Sequence, residues 1–292
     1  MTMDANLLRS FAATVDWVHA GLIRTARSTP SLDWEQRGLG GKLFYAGDLD
    51  GVGSALVVAA NIAGAATLTA SEDLAIPKQA IRDGVIDFLV TSLDEALRIL
   101  KNEIRKCAPV AVCVGLAPEQ VEYEMVERGV LPDLLPPGAL DAPRYEIFLE
   151  VGARQIEPVA AKTGQTVLMW SVADAPARWL PRLDAVADEC LGPSPNLETR
   201  SAHRWLRLAP RYLGRMTHGV RLLRCPKHAA REFLDRVREQ VANGEIAVPV
   251  EVRLSGQGDS KLHRFCPPQA HIMPRGLSLV DRPRFQFGST IP

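Results

Sequence analysis

Four short segments of this sequence are almost wholly apolar, and they alternate with stretches of helical character. They comprise residues 42–46, 66–70, 86–90 and 110–114. A strand without polar alternation is typical of a parallel sheet that is covered by helices on both faces. Residues 54–64 predict a small-residue helix, and Ser92 with Glu95 forms a capping box that starts a later one. The pattern therefore predicts the α/β class.

The chain is predicted to have two domains. An amphipathic helix is predicted from Ala5 to about Arg27, ahead of the first strand. Four prolines fall within residues 132–143, and such a stretch is typical of a linker. We therefore expect a first domain over residues 1–138 and a smaller one over residues 139–292.

The second domain has a looser pattern. Strands are predicted at 166–172, 220–223 and 248–254, and helices at 177–191, 198–215 (interrupted at Pro210) and 227–241. This β-α-α-β-α-β order is compatible with an α/β or an α+β domain. The tail after Gly256 shows little periodicity.

The net charge of zero conceals an uneven distribution. Residues 1–198 carry 17 basic and 27 acidic side chains, whereas residues 199–292 carry 17 basic and 7 acidic ones. This basic third either binds an anionic ligand or docks against the acidic remainder of its own chain or of a second subunit. We favour docking and expect a homo-oligomer. Overall neutrality, without alternating basic and aromatic residues, argues against nucleic-acid binding.

The composition is that of an ordinary globular protein, with 47% hydrophobic and 23% charged residues among 292. No apolar run approaches the roughly 18 residues of a membrane span. The N-terminus lacks the basic and apolar regions of a secretory signal, and five widely spaced cysteines fit a reducing compartment. We expect a cytoplasmic protein with a small-molecule ligand and no membrane partner.

The turn after the first strand is the expected place of the chemistry. Residues 48–53 read Asp-Leu-Asp-Gly-Val-Gly. Glycine turns between a buried strand and a helix bind phosphates, because backbone N–H groups converge at the helix N-terminus. The spacing departs from Gly-x-Gly-x-x-Gly, so taken alone it is a weak signal for a dinucleotide.

Six stretches between Leu39 and about Leu134 are informative together, namely 39–42, 48–55, 59–65, 91–97, 115–119 and 127–133. On these stretches the sequence resembles the NAD-binding domain of the urocanase (urocanate hydratase) family. The resemblance implies a Rossmann-like domain which, in the family, holds a tightly bound NAD that acts as an electrophile during hydration of a conjugated imidazole acid. It also implies a set of cofactor-binding candidates, namely Gly51, Gly53, Ser54, Ser71, Glu72 and Gly115.

The sequence departs from the family at the turn itself. The family has glycines where this chain has Asp48 and Asp50. The acidic residue expected to hold the adenosine ribose falls at Ser71, with Glu72 one step away. Urocanases are also considerably longer, and nothing here resembles their catalytic core, so urocanate hydration itself is not expected.

The two aspartates disfavour NAD, since a carboxylate about 4 Å from a phosphate costs on the order of 4 kcal/mol at an effective dielectric near 20. Three alternatives are open: a less anionic ligand, a divalent cation that bridges carboxylate and phosphate, or a vestigial turn with solvated aspartates. Asp48 and Asp50 are also candidate catalytic residues, because paired carboxylates can serve as acid and base.

Residues 43–52 are also similar to the first motif of haloacid-dehalogenase-type phosphohydrolases. In that family a strand ends in a nucleophilic Asp, and a second Asp two residues later acts as acid and base. The family's later lysine and paired aspartates have no evident counterpart here, so we favour the urocanase resemblance.

Arginines recur along one face of the helix at 198–215, at positions Arg200, Arg204, Arg207, Arg211 and Arg215. Guanidinium groups fit both carboxylates and phosphates. Arg204, Arg207 and Arg211 are therefore candidates for holding substrate charge. The alternative is a solvated face that pairs with acidic neighbours.

Two Cys-His pairs have the spacing of zinc ligands. They are Cys225 with His228 and His263 with Cys266, and His271 lies nearby. Prolines beside each pair favour turns, and we assign no metal ligand.

The sequence supports two classes of function. The first is a small-molecule enzyme or binding protein, with lyase, hydratase or redox chemistry on a small acid above the 48–53 turn. The second is a non-catalytic protein that keeps the Rossmann fold for assembly with a partner.

Overall fold

The computed structural model of the chain describes residues 5–27, 38–139, 142–157, 165–193, 196–217, 219–256 and 260–268, without the side chains of 5–9 and 214–217. Helix α1 spans Ala5–Arg27, as the sequence predicted. None of the helices in these ranges has the length and apolar character needed to cross a membrane.

A six-stranded parallel sheet forms the first part of the molecule. Its strands are β1 (Leu43–Asp48), β2 (Ala66–Ala70), β3 (Phe88–Val90), β4 (Val110–Val114), β5 (Leu134–Leu135) and β6 (Arg154–Gln155). Their spatial order is β3-β4-β2-β1-β5-β6. β2 and β4 are buried along their whole length, as expected for apolar strands covered on both faces.

Helices cover both faces of this sheet. They are α2 (Gly51–Ala63), α3 (Ala75–Asp83), α4 (Leu93–Arg105), α5 (Pro118–Glu127) and the short α6 (Glu146–Glu150). One apolar core lies between the sheet and α4 and α5, and another includes α1 and α2. The predicted α/β class with a Rossmann-like parallel sheet is confirmed.

The second sheet is antiparallel. It consists of β7 (Gln165–Val172), β8 (Val220–Pro226), β9 (Val250–Ser255) and β10 (Ser260–Phe265), in the order β10-β9-β7-β8. Three helices accompany it: α7 (Pro176–Leu191), α8 (Leu197–Thr217) and α9 (Lys227–Ala242). The antiparallel pairing makes this region α+β, one of the two alternatives that the sequence left open.

Two features of this region differ from the prediction. α8 continues through Pro210; proline removes one helical hydrogen bond, but Trp205, Ala209 and Leu213 on the packed face remain buried and hold the helix together. β10 was not predicted, because it is an edge strand whose side chains are mostly exposed and lack apolar alternation.

The division of the chain at residue 138 stays a prediction. The first sheet continues beyond it, since β6 pairs with β5 through Arg154 and Gln155. Strands of two residues are too short for periodicity to reveal. The core that includes α1 and α2 also contains Leu168 and Trp170 of β7, so the two sheets share one apolar core.

An ion pair joins the basic third of the chain to the acidic part. Arg224 on β8 donates to the carboxylate of Asp16 on α1, which is buried. At this point the basic segment docks within its own chain, which is the interpretation that the charge distribution favoured.

Candidate functional site

The topology places the switch point of the sheet at the carboxyl ends of β1 and β5, and we call this place the β1–β5 crevice. These strands are neighbours, but the chain leaves β1 toward β2 and leaves β5 toward β6 on the opposite side. Ligands of open α/β sheets bind where connections diverge in this way. The turn after β1 and the segment after β5 are therefore the walls of the candidate site.

Asp50 is the N-cap of α2. Its Oδ1 accepts a hydrogen bond from the backbone N–H of Gly53 at 2.6 Å, and its carbonyl oxygen accepts one from Ser54 at 2.9 Å. A carboxylate is favourable here because it satisfies an N–H group without a helical partner and lies at the positive end of the helix dipole. The chain itself supplies the anion at this helix terminus.

The two glycines of the turn have different surroundings. A Cβ on Gly53 would lie 1.9 Å from the carbonyl oxygen of Asp48, so the close contact between strand and helix requires glycine there. Among the described residues, nothing lies within 4 Å of the Cβ position of Gly51. Gly53 is therefore needed for the fold, whereas Gly51 leaves room for a ligand.

Asp48 ends β1 with an exposed side chain. Burial, and then the charge of Asp48, raise the pKa of the Cys113 thiol to about 12. Cys113 therefore stays protonated near neutral pH and is not a nucleophile. Asp48 and Asp50 remain as exposed carboxylates beside the crevice.

The other cofactor-binding candidates lie at the ends of β2 and β4, on the same carboxyl edge of the sheet. Ser71 is buried, and its hydroxyl donates to the carbonyl of Asp73 at 3.2 Å. Glu72 is exposed. The N–H of Gly115 donates to the carbonyl of Val90 at 2.9 Å. The hydroxyl of Ser71 and the amide of Gly115 thus make contacts within the protein.

The structure adds an arginine that the sequence analysis missed. Arg144 follows β5 in the chain, and its Nη2 lies 3.7 Å from the point that a Cβ on Gly47 would occupy, with the Tyr145 hydroxyl 2.8 Å from the same point. Gly47 immediately precedes Asp48. The Arg144 side chain is 43% exposed, so a cation that solvent can reach lies next to the turn.

A buried carboxyl group lies behind Arg144. Oε1 of Glu122, on α5, is 3.7 Å from Nη1 of Arg144 and accepts a hydrogen bond from the Tyr45 hydroxyl at 3.0 Å. Burial raises the pKa of Glu122, although Arg144 and Tyr45 each act to lower it. A buried carboxyl with a raised pKa beside a crevice is a candidate proton-transfer group.

Of the predicted substrate-binding arginines, Arg204 lies at the opposite end of α2 from the turn. Nη1 of Arg204 donates to the carbonyl of Ala63 at 3.0 Å, and a helix of 13 residues places this carbonyl about 20 Å from Asp50. Arg207 and Arg211 are exposed on α8. The structure does not bring these three arginines to the turn, and the side chain of Arg215 lies outside the described residues.

The Cys-His pairs occupy separate surroundings. Cys225 is buried on β8, His228 is exposed on α9, His263 is half-buried on β10 and Cys266 is exposed. His271 lies outside the described residues. Within the part of the chain that the structure describes, no three His, Cys, Asp or Glu side chains are grouped as a metal site requires.

Residues 21–137 match the family model of the urocanase Rossmann-like domain. The matched stretch contains β1 to β5 and the turn after β1, and it ends before the second sheet. This part of the chain is therefore a urocanase Rossmann-like domain, as the resemblance predicted.

NAD, which the family implies as cofactor, fits this turn poorly. The helix terminus that would take its pyrophosphate holds the carboxylate of Asp50, and Asp48 lies exposed beside it. At the end of β2, where an acidic side chain would hold the ribose, Ser71 is buried and bonded within its own loop. A bound pyrophosphate would have to displace the cap and approach two carboxylates.

Proposed function

We propose that this chain, whose residues 21–137 form a urocanase Rossmann-like domain, is an enzyme or binding protein for a small carboxylic acid. The acid would occupy the crevice between β1 and β5, beside the Asp48–Gly53 turn. The observation that carries the proposal is the position of Arg144 against Gly47. Arg144 supplies the cation for substrate charge, a role that the sequence predicted for the arginines of α8.

The surroundings of Arg144 suit exchange with a ligand. Its two carboxylate neighbours, Glu119 and Glu122, lie at 3.8 and 3.7 Å, which is longer than the 2.7–2.9 Å of a strong charge-assisted hydrogen bond. A ligand carboxylate could form such bonds with the exposed guanidinium while Glu122 stays in place behind it. The guanidinium fork also orients the acid, because it holds both carboxylate oxygens.

The adjacent groups can move protons. Lyases and hydratases add or remove a proton next to an acid or carbonyl group, which requires a side chain positioned for that transfer. Glu122 has a raised pKa and would serve as the proton donor if the ligand displaces part of the Arg144 contact. Asp48 and Asp50, exposed at the crevice, remain the candidate bases.

The turn favours a ligand without a pyrophosphate. With Asp50 capping α2, the N–H groups at this helix terminus are partly used and the local charge is negative. A small monoacid bound at Arg144 has its own charge paired with the guanidinium, whereas a dinucleotide would have to place its pyrophosphate along the turn carboxylates. We therefore propose chemistry that uses the chain's own side chains.

The bound molecule itself gives the first test. The full chain is purified without added ligand and denatured by heat, and the released small molecules are identified by mass spectrometry. A small carboxylic acid without a nucleotide supports the proposal, and release of stoichiometric NAD contradicts it. A preparation that carries no small molecule favours the alternative, a Rossmann-fold protein that functions in assembly.

Variants of Arg144 give the second test. Arg144→Gln should weaken retention of the acid by about tenfold to a hundredfold, the usual effect of losing a charge-assisted bond, and Arg144→Lys should restore part of it. Arg207→Gln is the matched control, since Arg207 is exposed on α8 far from the crevice. Equal retention by all three variants would contradict the role of Arg144.

A further inference from the structure

A cavity lies where α1 meets the antiparallel sheet. It has a volume of about 70 Å³ and lies between α1, α8 and β8. Its apolar wall is formed by Ile23, Trp205 and Leu223, and it is separate from the β1–β5 crevice. The space is large enough for a few water molecules or for a carboxylic acid with a short apolar chain.

Two residues that line this cavity each carry a buried polar atom without a hydrogen-bond partner among the described residues. These atoms are Nε2 of His19 and Nε of Arg224. His19 is only 5% exposed, and its ring packs edge-on against Trp205 with centroids 4.9 Å apart. Buried polar atoms are nearly always paired in folded proteins, so two orphans beside one cavity indicate a missing partner.

The chemistry of the lining defines that partner. Nε of Arg224 can only donate, and the neutral imidazole of His19 can donate from Nε2 in one of its two tautomers. The acidic side chains of the lining are already engaged, since Asp16 accepts from Arg224 and Glu198 accepts from Gln165 at 2.8 Å. Ser201 adds a hydroxyl group to the wall. The unmet requirement is for an oxygen acceptor.

We propose that this cavity binds a small molecule with a short apolar part and a planar oxygen acceptor, either a carboxylate or a carboxamide. The oxygen would accept from Arg224 and His19, and the apolar part would pack against Trp205 and Leu223. Because α1 shares an apolar core with α2 and β8 belongs to the second sheet, the ligand would lie between the helices that cover the first sheet and the second sheet. The site is independent of the function proposed for the crevice.

Propionate and propionamide are suitable probes, since they share the planar oxygen and the short chain but differ in charge. Binding to the full chain is followed through the ¹⁵N resonances of the His19 imidazole. We expect a saturable shift of these resonances with at least one probe. Binding of propionate alone identifies a carboxylate site, and binding of propionamide alone identifies an amide site.

Two variants test the location. Ala20→Leu fills the cavity from α1 without removing a polar group, and it should weaken binding by about tenfold or more. His19→Gln removes the imidazole, and binding measured by calorimetry should weaken similarly. Lys101→Gln, at an exposed position on α4, is the control and should leave binding unchanged.

If neither probe shifts the His19 resonances of the wild-type protein, the cavity is not a site for this class. If Ala20→Leu and His19→Gln fold, as judged by circular dichroism, and bind the probe as tightly as the wild type, the binding lies elsewhere.

Discussion

The carboxylate of Asp50 and the backbone N–H of Gly53 are joined by a 2.6 Å hydrogen bond in the first turn of α2. This bond places the chain's own negative charge where a Rossmann domain offers a helix N-terminus to a phosphate. The turn therefore keeps the shape of a nucleotide site while the groups that would hold the phosphate are partly used.

The first prediction concerns the stability that this cap provides. Asp50→Ala should lower the free energy of unfolding by about 1 kcal/mol, because the side-chain acceptor is lost. Asp50→Asn should lower it by only a few tenths of a kcal/mol, since asparagine caps helices nearly as well. Urea denaturation measures both; an Asp50→Ala variant as stable as the wild type would show that the cap contributes nothing.

The two glycines of the turn should respond in opposite directions to the same substitution. Gly53→Ala should destabilise the protein by about 2 kcal/mol or more, because the added Cβ meets the carbonyl oxygen of Asp48. Gly51→Ala should be neutral or stabilising by up to about 1 kcal/mol, as is usual for Gly-to-Ala in a helix with open space. Thermal unfolding of the two variants measures both changes in stability. Similar losses of stability in Gly53→Ala and Gly51→Ala would contradict the close contact at Gly53.

Arg204 should contribute to stability through the end of α2. Arg204→Met removes the bond to the carbonyl of Ala63 and should cost about 1–3 kcal/mol, the usual range for a hydrogen bond from a charged donor. Arg207→Met, on the exposed part of the same helix, should change stability by less than about 0.5 kcal/mol. If both variants unfold at the same urea concentration, Arg204 is only a solvated side chain.

The pH dependence of stability should report on His19. Burial and the charges of Arg204 and Arg224 lower its pKa to about 3, whereas an unfolded histidine titrates near pH 6.5. Between these values the unfolded chain binds a proton that the folded chain does not. The free energy of unfolding should therefore fall on acidification below pH ~6.5, by at most about 1.4 kcal/mol per pH unit.

The comparison with His19→Gln isolates this contribution. Asp16 has a pKa raised by burial, which acts in the opposite direction but is present in both proteins. The stability of the wild type relative to the variant should thus decline as the pH falls from about 6.5 toward 4. Parallel stability curves for the two proteins would contradict a neutral, buried His19.

The sequence predicted the elements that depend on local pattern. The apolar runs gave β1 to β4, because a buried parallel strand is apolar on both sides. The N-cap at Asp50 was not predicted, because the helix was expected over residues 54–64 and begins at Gly51 in the structure. The charge of Asp50 was interpreted as an obstacle to phosphate or as a proton-transfer group. In the structure the same carboxylate has a stabilising partner in Gly53.

The sequence could not predict contacts that tertiary topology creates. Arg144 approaches Gly47 because β5 lies beside β1, and no spacing in the chain connects the two residues. The spacing of arginines in α8 identified a helical face but not which member turns inward, and the structure shows that Arg204 does so while Arg207 stays exposed.

Calorimetric titration of NAD into the wild-type chain and into Asp50→Asn tests the central claim most directly. The variant keeps the cap but removes the charge that would lie near the pyrophosphate. We predict no measurable binding to the wild type and a gain in affinity of about tenfold or more in the variant, since repulsion between a carboxylate and a phosphate about 4 Å apart is worth several kcal/mol. Binding of NAD by the wild type as tightly as by the variant would contradict this claim.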